Sequence, residues 1–260
     1  MLFHRLKFKG NFREFREKYA ATFPKSYRGC IAVFCKPATF PQKALWEKFL
    51  LEDNVWGAFG CHPHNANEFD ERTRHFLKLA LEHPKVRALG EIGLDYSNRN
   101  GVSRILQQKV FLKQINMALD RNLPLVIHCR DAHDDCIRIL KETIPEDYLF
   151  HLHCFTDDWD VARRWLQIFK RCFIGITNLI TFPDAKKTKQ VALHIPLNRL
   201  LLETDSPYFI PRINHLKGFK ISHPGMACHV AAEIAHLKEI SVDEVCRWTL
   251  RNTRILYGIN

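Results

Sequence analysis

The chain has 260 residues and a formal net charge of +11 at pH 7, from 39 lysines and arginines against 28 aspartates and glutamates. Its hydrophobic content of 46% is typical of a globular protein with a large core and excludes an intrinsically disordered chain. No apolar run approaches the length of a membrane span, and the first residues lack the apolar stretch of a signal peptide, so we expect no membrane association.

The positive charge predicts an attraction for polyanions, of which nucleic acid is the commonest large one. The basic residues are spread over predicted helices, as in residues 72–74, 163–164 and 186–189, and solvated helix faces have the same composition. The charge alone therefore does not decide between a nucleic-acid-binding protein and an ordinary basic enzyme.

The nine cysteines are an odd number and lack the dense spacing of a disulfide scaffold. Several lie in apolar runs, which indicates small buried side chains in a reducing, intracellular compartment, the nucleus or the cytoplasm. Cys61 and His62 have no second Cys or His pair at zinc-finger spacing, so we predict no structural zinc site there.

Strand-like and helical patterns alternate along the chain after a first predicted helix at residues 11–19. The strand-like apolar runs cover residues 30–35, 55–61, 86–94, 123–129, 149–155, 172–177 and 200–204. Helical patterns with one apolar face include residues 110–119 and 161–169, and Ser241 with Glu244 forms a capping box that opens the last helix. This order predicts an α/β fold with a parallel sheet in a single domain over residues 1–260. The length and the repeats suit a (β/α)8 barrel of the TIM type.

Four of the predicted strands end in a carboxylate or a histidine, and these residues are Glu91, His128, His153 and Asp205. The carboxyl ends of barrel strands form the mouth in which chemistry takes place. A lone strand histidine is more often a packed core residue, but two histidines and two carboxylates at successive strand ends have the makeup of a divalent-metal site. Mixed carboxylate and imidazole ligands suit magnesium, manganese or zinc.

Five motifs resemble those of the TatD family of metal-dependent deoxyribonucleases, which belong to the amidohydrolase-like barrels. In chain order they are Gly-Cys-His-Pro-His at 60–64, Gly-Glu-Ile-Gly-Leu-Asp-Tyr at 90–96, Ile-His-Cys-Arg at 127–130, His-Cys-Phe at 153–155 and Glu-Thr-Asp-Ser-Pro-Tyr at 203–208. Residues 56–64 and 222–225 resemble an animal branch of the family most. The resemblance covers the whole chain and implies divalent-metal-dependent hydrolysis of DNA, with nucleotides removed from a 3′ end.

The resemblance also implies roles for individual residues. Glu91 matches a carboxylate that bridges two divalent ions, and His128 and His153 match imidazole ligands. Asp205 matches an aspartate that binds metal and orients the attacking water, so Glu91 and Asp205 are the expected catalytic residues. Glu203 precedes Asp205 on the same strand face and is a candidate partner for it.

Two further residues are expected to contact the substrate. His62 matches a histidine that approaches the substrate phosphate, and Arg130 is expected to face the same phosphate. A phosphodiester is anionic and resists attack by water, so paired cations that bind water and neutralise phosphoryl oxygens are well suited to this reaction.

The sequence departs from the family pattern at its start. The family's first strand ends in His-x-His, both of whose histidines bind metal, and residues 1–3 resemble the stretch that follows it. We therefore expect a barrel without its first strand, with one of two metal positions weakened or lost. The neighbouring strands would then have unpaired edges, which lowers stability and solubility.

Two other functions are compatible with the sequence. An amidohydrolase acting on a small ester or amide would use the same metals, although the basic charge argues mildly against it. A catalytically impaired protein that binds nucleic acid or regulates a complete relative is favoured by the missing His-x-His. DNA and, alternatively, RNA are the expected partners, and oligomeric state, with a monomer as one option, is left open.

Overall fold

The computed structural model of the chain describes residues 8–216 and 218–260. These residues form two compact units. The β1–β5 unit consists of Gly29–His153, Trp165–Cys172 and Leu256–Asn260. The β6–β7 unit consists of residues 8–28 with Cys154–Arg164 and Phe173–Ile255. That residues 1–260 form a single domain stays a prediction, and the predicted loss of a first strand concerns a part of the chain outside the described residues.

Seven strands occur in the described residues, and each overlaps one of the predicted runs. They are β1 (Cys30–Phe34), β2 (Val55–Phe59), β3 (Val86–Asp95), β4 (Leu125–Arg130), β5 (Phe150–Leu152), β6 (Cys172–Ile176) and β7 (Leu200–Leu202). The predicted runs extend past several strand ends because an apolar run does not stop where the hydrogen-bonded ladder stops.

Helices follow most of the strands, as the alternation in the sequence predicts. They are α1 (Phe12–Lys18), α2 (Lys43–Leu50), α3 (Glu71–Leu81), α4 (Arg104–Leu119), α5 (His133–Thr143), α6 (Trp159–Ile168), α7 (Lys186–His194), α8 (Ala227–Lys238) and α9 (Val242–Tyr257). The nitrogen of Glu244 donates to Ser241 Oγ at 3.1 Å at the start of α9, as the capping box predicts. In the described part of the chain, no helix is long and apolar enough to cross a membrane.

In the β1–β5 unit, the five strands pair in chain order and all in parallel. The middle strands are buried on both faces, with Leu89, Leu125 and Phe150 fully inaccessible to solvent. Continuous apolar strands of this kind need helices on their faces, which explains why they alternate with amphipathic helices in the sequence.

Strand β3 contains a bulge at Glu91, one of the predicted site residues. Gly90 pairs with Val126 and Ile92 pairs with Ile127, so Glu91 is an extra residue in the ladder between β3 and β4. A bulge bends the strand and changes the direction of a side chain. The glycines beside Glu91 permit this path, since a Cβ on Gly90 would lie 2.4 Å from Val126 Cβ.

In the β6–β7 unit, the last two strands pair in parallel through Ile174–Ile176 and Leu200–Leu202. Helix α1 begins after Asn11, whose side chain accepts a hydrogen bond from the nitrogen of Glu14, and the Glu14 carboxylate accepts one from the nitrogen of Asn11. Phe15 is fully buried on this helix. The predicted helix at residues 11–19 is therefore confirmed, with both of its ends trimmed by one residue.

Candidate metal centre

The carboxylate of Glu91 lies among three imidazoles in the β1–β5 unit. Its Oε1 is 2.9 Å from His128 Nδ1, 3.6 Å from His62 Nε2 and 3.7 Å from His153 Nε2. The Glu91 side chain is only 11% exposed. One buried carboxylate oxygen therefore faces ring nitrogens that come from three separate segments of the chain.

The charge state of Glu91 follows from these neighbours. Burial alone would raise the pKa of Glu91, but the surrounding imidazoles, His153 and His62 first, lower it well below the usual range of a glutamate. Glu91 is therefore an ionised carboxylate at neutral pH. A buried anion needs a positive partner, and a cation bound among these nitrogens would be one.

His62 leads from β2 into the short helical turn Pro63–Glu68. Its Nδ1 accepts a hydrogen bond from the nitrogen of His64 at 3.1 Å. Burial lowers the pKa of His62 to about 3, so the ring is neutral at pH 7. A neutral ring that accepts at Nδ1 has its proton on Nε2, the atom nearest Glu91. His62 thus presents an N–H donor to the site, which suits a phosphate oxygen better than a metal ion.

The ring of His128 bridges two carboxylates. Nδ1 is 2.9 Å from Glu91 Oε1, and Nε2 is 2.9 Å from Asp95 Oδ2. Burial acts to lower the pKa of His128, but these two carboxylates outweigh it and raise the pKa. The two carboxylates therefore favour a proton on each ring nitrogen, and metal binding at Nδ1 would displace the one on that atom.

Asp95 ends β3 and is completely buried. Its Oδ2 is also 2.9 Å from His64 Nε2, and its Oδ1 accepts from the nitrogen of Ser97 at 3.0 Å and from the Ser97 hydroxyl at 2.5 Å. Burial would raise the pKa of Asp95, but the hydrogen bonds from His128 and Ser97 lower it well below the usual range. The carboxylate therefore stays ionised without exposure to water.

Arg130, the last residue of β4, lies beside this group. Its Nη1 is 3.8 Å from Asp95 Oδ2, and 32% of its side chain is exposed. An arginine that is in contact with a buried anion and still partly exposed has donors left for a second anion. The structure places Arg130 near His128, whereas its contact with a phosphate stays a prediction.

His153 follows β5, and its nitrogen donates to the carbonyl of Ile127 at 2.9 Å, next to His128 in the chain. Asp205 belongs to the other unit, three residues after the end of β7, in the left-handed region with φ +48°. Glu203 Oε1 accepts from the nitrogen of Cys154 at 3.0 Å in that unit. The structure thus brings four predicted site residues together in the β1–β5 unit with Arg130 beside them, and the role of Asp205 stays a prediction.

The donors in the β1–β5 unit fit a divalent cation. Ligand atoms of His62, Glu91 and His128 all lie within 4.8 Å of one another. An ionised, buried carboxylate with imidazole nitrogens around it is the donor set of magnesium, manganese or zinc sites. Because His62 has its proton on Nε2, it is the candidate to donate to the substrate. Glu91, His128 and His153 are the candidates to hold the ion.

Sequence reasoning gave too little weight to Asp95 and did not assign His64 any role. At the end of a strand, an aspartate such as Asp95 fits a turn or cap role as well as a site role. The structure places its carboxylate on two imidazoles. Its position four residues after Glu91, on the same face of a strand, was the available signal. The hydrogen bonds of His64 depend on the conformation of the turn after β2, and no pattern in the sequence predicts that conformation.

A family model described as TatD related DNase matches residues 5–258. The chain belongs to the TatD-related DNase family. The human 3'-5' RNA nuclease TATDN2 is 42% identical over 259 residues, which are 100% of this chain and 34% of that protein. The chain thus spans about a third of the length of this relative. The Bacillus subtilis protein YabD, an uncharacterized metal-dependent hydrolase, is 38% identical over 208 residues, 80% of this chain and 79% of YabD.

A solved structure agrees with the family match. The crystal structure of YjjV, a TatD homologue from Escherichia coli K12, has a TM-score of 0.79 at 28% identity, over 95% of this chain and 94% of that chain. The resemblance drawn from the five motifs is confirmed, and so is the predicted α/β fold class of the TIM-barrel type.

Proposed function

We propose that this chain is a divalent-metal-dependent hydrolase that cleaves phosphodiester bonds in nucleic acid. One observation carries the proposal: a buried, ionised carboxylate oxygen of Glu91 faces three imidazole nitrogens at 2.9–3.7 Å. An ionised carboxylate with imidazole nitrogens around it is a donor set that suits a divalent cation. Membership of a family of TatD-related DNases supports nucleic acid as the substrate.

In this proposal Glu91, His128 and His153 hold the ion, and the family resemblance implies Asp205 as a further ligand. A bound divalent ion supplies Lewis-acid polarisation of the phosphoryl group and lowers the pKa of water. The neutral ring of His62 donates its Nε2–H to a phosphoryl oxygen, where charge develops in the transition state.

Arg130 supplies a second donor for the phosphate in the same proposal. Its guanidinium is permanently charged and partly exposed, and its contact with Asp95 limits its motion. The family resemblance implies two ions, and their number stays a prediction. Magnesium, manganese and zinc are all compatible with these ligands.

The substrate is DNA or RNA, attacked from a 3′ end. The family description names a DNase, whereas the human relative is named an RNA nuclease, so both polymers belong in the test. The net charge of +11 favours a polyanion over a neutral ester or amide. A nuclease of this kind would act in the nucleus or the cytoplasm, and nothing in the proposal requires more than a monomer.

The experiment is cleavage of end-labelled single-stranded DNA and RNA of the same sequence in MgCl₂, MnCl₂ or EDTA. Wild type is compared with Glu91→Gln, which keeps the shape of the side chain and removes its charge, and with Glu82→Gln on an exposed residue after α3. We expect cleavage that needs metal, disappears in Glu91→Gln and persists in Glu82→Gln. Metal-independent cleavage, or equal rates in all three proteins, would contradict the proposal.

A second comparison separates the nuclease from the binding protein that the sequence also allows. The chain is extended at its amino terminus by a strand that carries His-x-His, and both forms are assayed. If only the extended form cuts, while the short form binds nucleic acid with a steep dependence on salt, the short chain has a binding or regulatory role. Hydrolysis of a small ester without any cleavage of nucleic acid would favour the amidohydrolase.

A further inference from the structure

The carboxylate of Asp95 makes four hydrogen-bond contacts beside the candidate metal centre, and the proposed reaction does not yet use it. One oxygen, Oδ2, is 2.9 Å from Nε2 of both His128 and His64. The other, Oδ1, accepts two hydrogen bonds from Ser97. Asp95 is completely buried, so no water competes for these contacts.

The main chain of Asp95 is also fixed. Its nitrogen donates to Gln107 Oε1 at 2.8 Å, and the Gln107 side chain is almost entirely buried on α4. The position of the Asp95 carboxylate is therefore determined by Ser97 and Gln107, independently of the two histidines. Oδ2 is an acceptor whose place is set before a metal or a substrate arrives.

The geometry of His128 shows what this acceptor does. An imidazole that binds an ion through one nitrogen has its remaining proton on the other. The Nδ1 atom of His128 faces Glu91, whereas Nε2 faces Asp95. An ion held with Glu91 therefore requires Nδ1 as the ligand and Nε2–H as a donor to Asp95.

We propose that Asp95 is the positioning residue of this centre: it accepts Nε2–H of His128 and so fixes the ring and the tautomer that leave Nδ1 free to bind the ion. The inference rests on the proposed function, because it assumes that His128 is a ligand. A carboxylate behind a ligating histidine orients the ring and increases its basicity, and losing it weakens metal binding about 10–100-fold.

The contact with His64 offers a competing account. His64 shares Oδ2 with His128, and its side chain is 34% exposed. If Asp95 served only to hold His64, then removing the His64 ring would have the same effect on metal binding as changing Asp95. The variant His64→Ala therefore separates the two accounts.

The test is calorimetric titration of the metal-free full chain with MnCl₂, with the melting temperature measured for every protein. Asp95→Asn keeps the size of the side chain, but its amide can donate to Nε2 and force the His128 proton onto Nδ1. The control is Asp70→Asn, which changes an exposed aspartate that caps α3 and makes no contact with the centre. We expect Mn²⁺ to bind Asp95→Asn about 10–100-fold more weakly than wild type, while Asp70→Asn and His64→Ala bind it normally.

The titrations separate a failure of the proposed function from a failure of the role proposed for Asp95. If wild type itself binds no Mn²⁺, the metal-dependent hydrolase is wrong. If wild type and Asp95→Asn bind Mn²⁺ equally, or His64→Ala reproduces the whole loss, the role of Asp95 is wrong. If Asp95→Asn does not fold, ¹⁵N NMR of wild type with bound Mg²⁺ reads the tautomer of His128 instead; a proton on Nδ1 overturns the proposal.

Discussion

The side-chain amide of Gln114 is hydrogen-bonded twice to the main chain of Cys61. Its Oε1 accepts from the Cys61 nitrogen at 2.7 Å, and its Nε2 donates to the Cys61 carbonyl at 3.1 Å. Both residues are buried, and Cys61 directly precedes His62. Helix α4 therefore fixes the chain at the point where it leaves β2 for the site.

The first prediction concerns this contact. Gln114→Met keeps the approximate volume but leaves two buried main-chain groups of Cys61 without partners. We expect a loss of about 2–6 kcal/mol in the free energy of unfolding, from a penalty of about 1–3 kcal/mol for each of the two groups. Urea denaturation measures it as a lower midpoint with an unchanged m-value. Gln108→Met is the control on the same helix, because Gln108 bonds the side chains of Tyr96 and Asp135 and not a main chain. Equal losses in both variants would contradict the argument.

A second prediction separates His62 from the metal ligands. If the neutral ring of His62 serves as an N–H donor to the phosphate, His62→Ala lowers kcat about 10²–10³-fold and leaves Mn²⁺ affinity unchanged. Glu91→Gln, in contrast, loses Mn²⁺ binding and cleavage together. The measurements are single-turnover cleavage and Mn²⁺ titration, with His75→Ala on the exposed face of α3 as the control. Loss of Mn²⁺ binding in His62→Ala would make His62 a ligand instead.

A third prediction tests the close approach of β3 to β4. Gly93 has φ +143°, and a Cβ there would lie 1.9 Å from the carbonyl oxygen of His128. We expect Gly93→Ala to lower the free energy of unfolding by about 2–4 kcal/mol or to prevent folding, because neither strand can move without disturbing the core. Gly101→Ala is the matched control, since a Cβ at Gly101 meets nothing within 4 Å. Similar melting temperatures for the two variants would show that β3 can shift far enough from β4 to accommodate the added methyl group.

The strands were predictable because each is a short, mostly apolar run, which is typical of a parallel sheet covered on both faces. The capping box at Ser241 also predicted the start of α9. The helix predicted at residues 11–19 is confirmed, and the structure adds that Asn11 caps it. Strand ends were less predictable. The run at residues 149–155 is a strand only over Phe150–Leu152, because the chain turns away from the ladder before the apolar character ends.

The candidate site was predictable in its residues and not in its geometry. Strand-end positions indicated Glu91 and His128, but the bulge that makes Glu91 an extra residue depends on the register between β3 and β4. The bonds of Asp95 depend on where Ser97 and Gln107 lie after folding. His151 lies two residues before His153, deeper in the same strand run, and this position predicts a structural role for it. Its burial and its 2.8 Å contact with the Tyr257 hydroxyl agree with that prediction.

The last prediction uses a histidine outside the candidate site. His223 is buried in the β6–β7 unit, where its Nδ1 accepts from the nitrogen of Gly225 and its Nε2 lies 2.8 Å from the Thr22 hydroxyl. Its ring also stacks on Phe23, with centroids 4.6 Å apart. Burial, with a smaller effect from His229, lowers the pKa of His223 from 6.5 to about 4.

The direction of the pH effect on stability depends on whether the folded or the unfolded chain binds the proton more readily. Below pH 6.5 the unfolded chain protonates this histidine and the folded chain does not, so stability falls as the pH falls and is complete above 6.5. We expect His223 to account for a loss of about 2 kcal/mol between pH 7 and pH 5. The measurement is urea unfolding in EDTA at both pH values, for wild type and for His223→Asn, whose amide oxygen can still accept from Gly225. The variant should lose less stability than wild type over this interval, because titration of the other histidines is common to both proteins. An identical loss in the two proteins would mean that His223 is protonated in the folded chain.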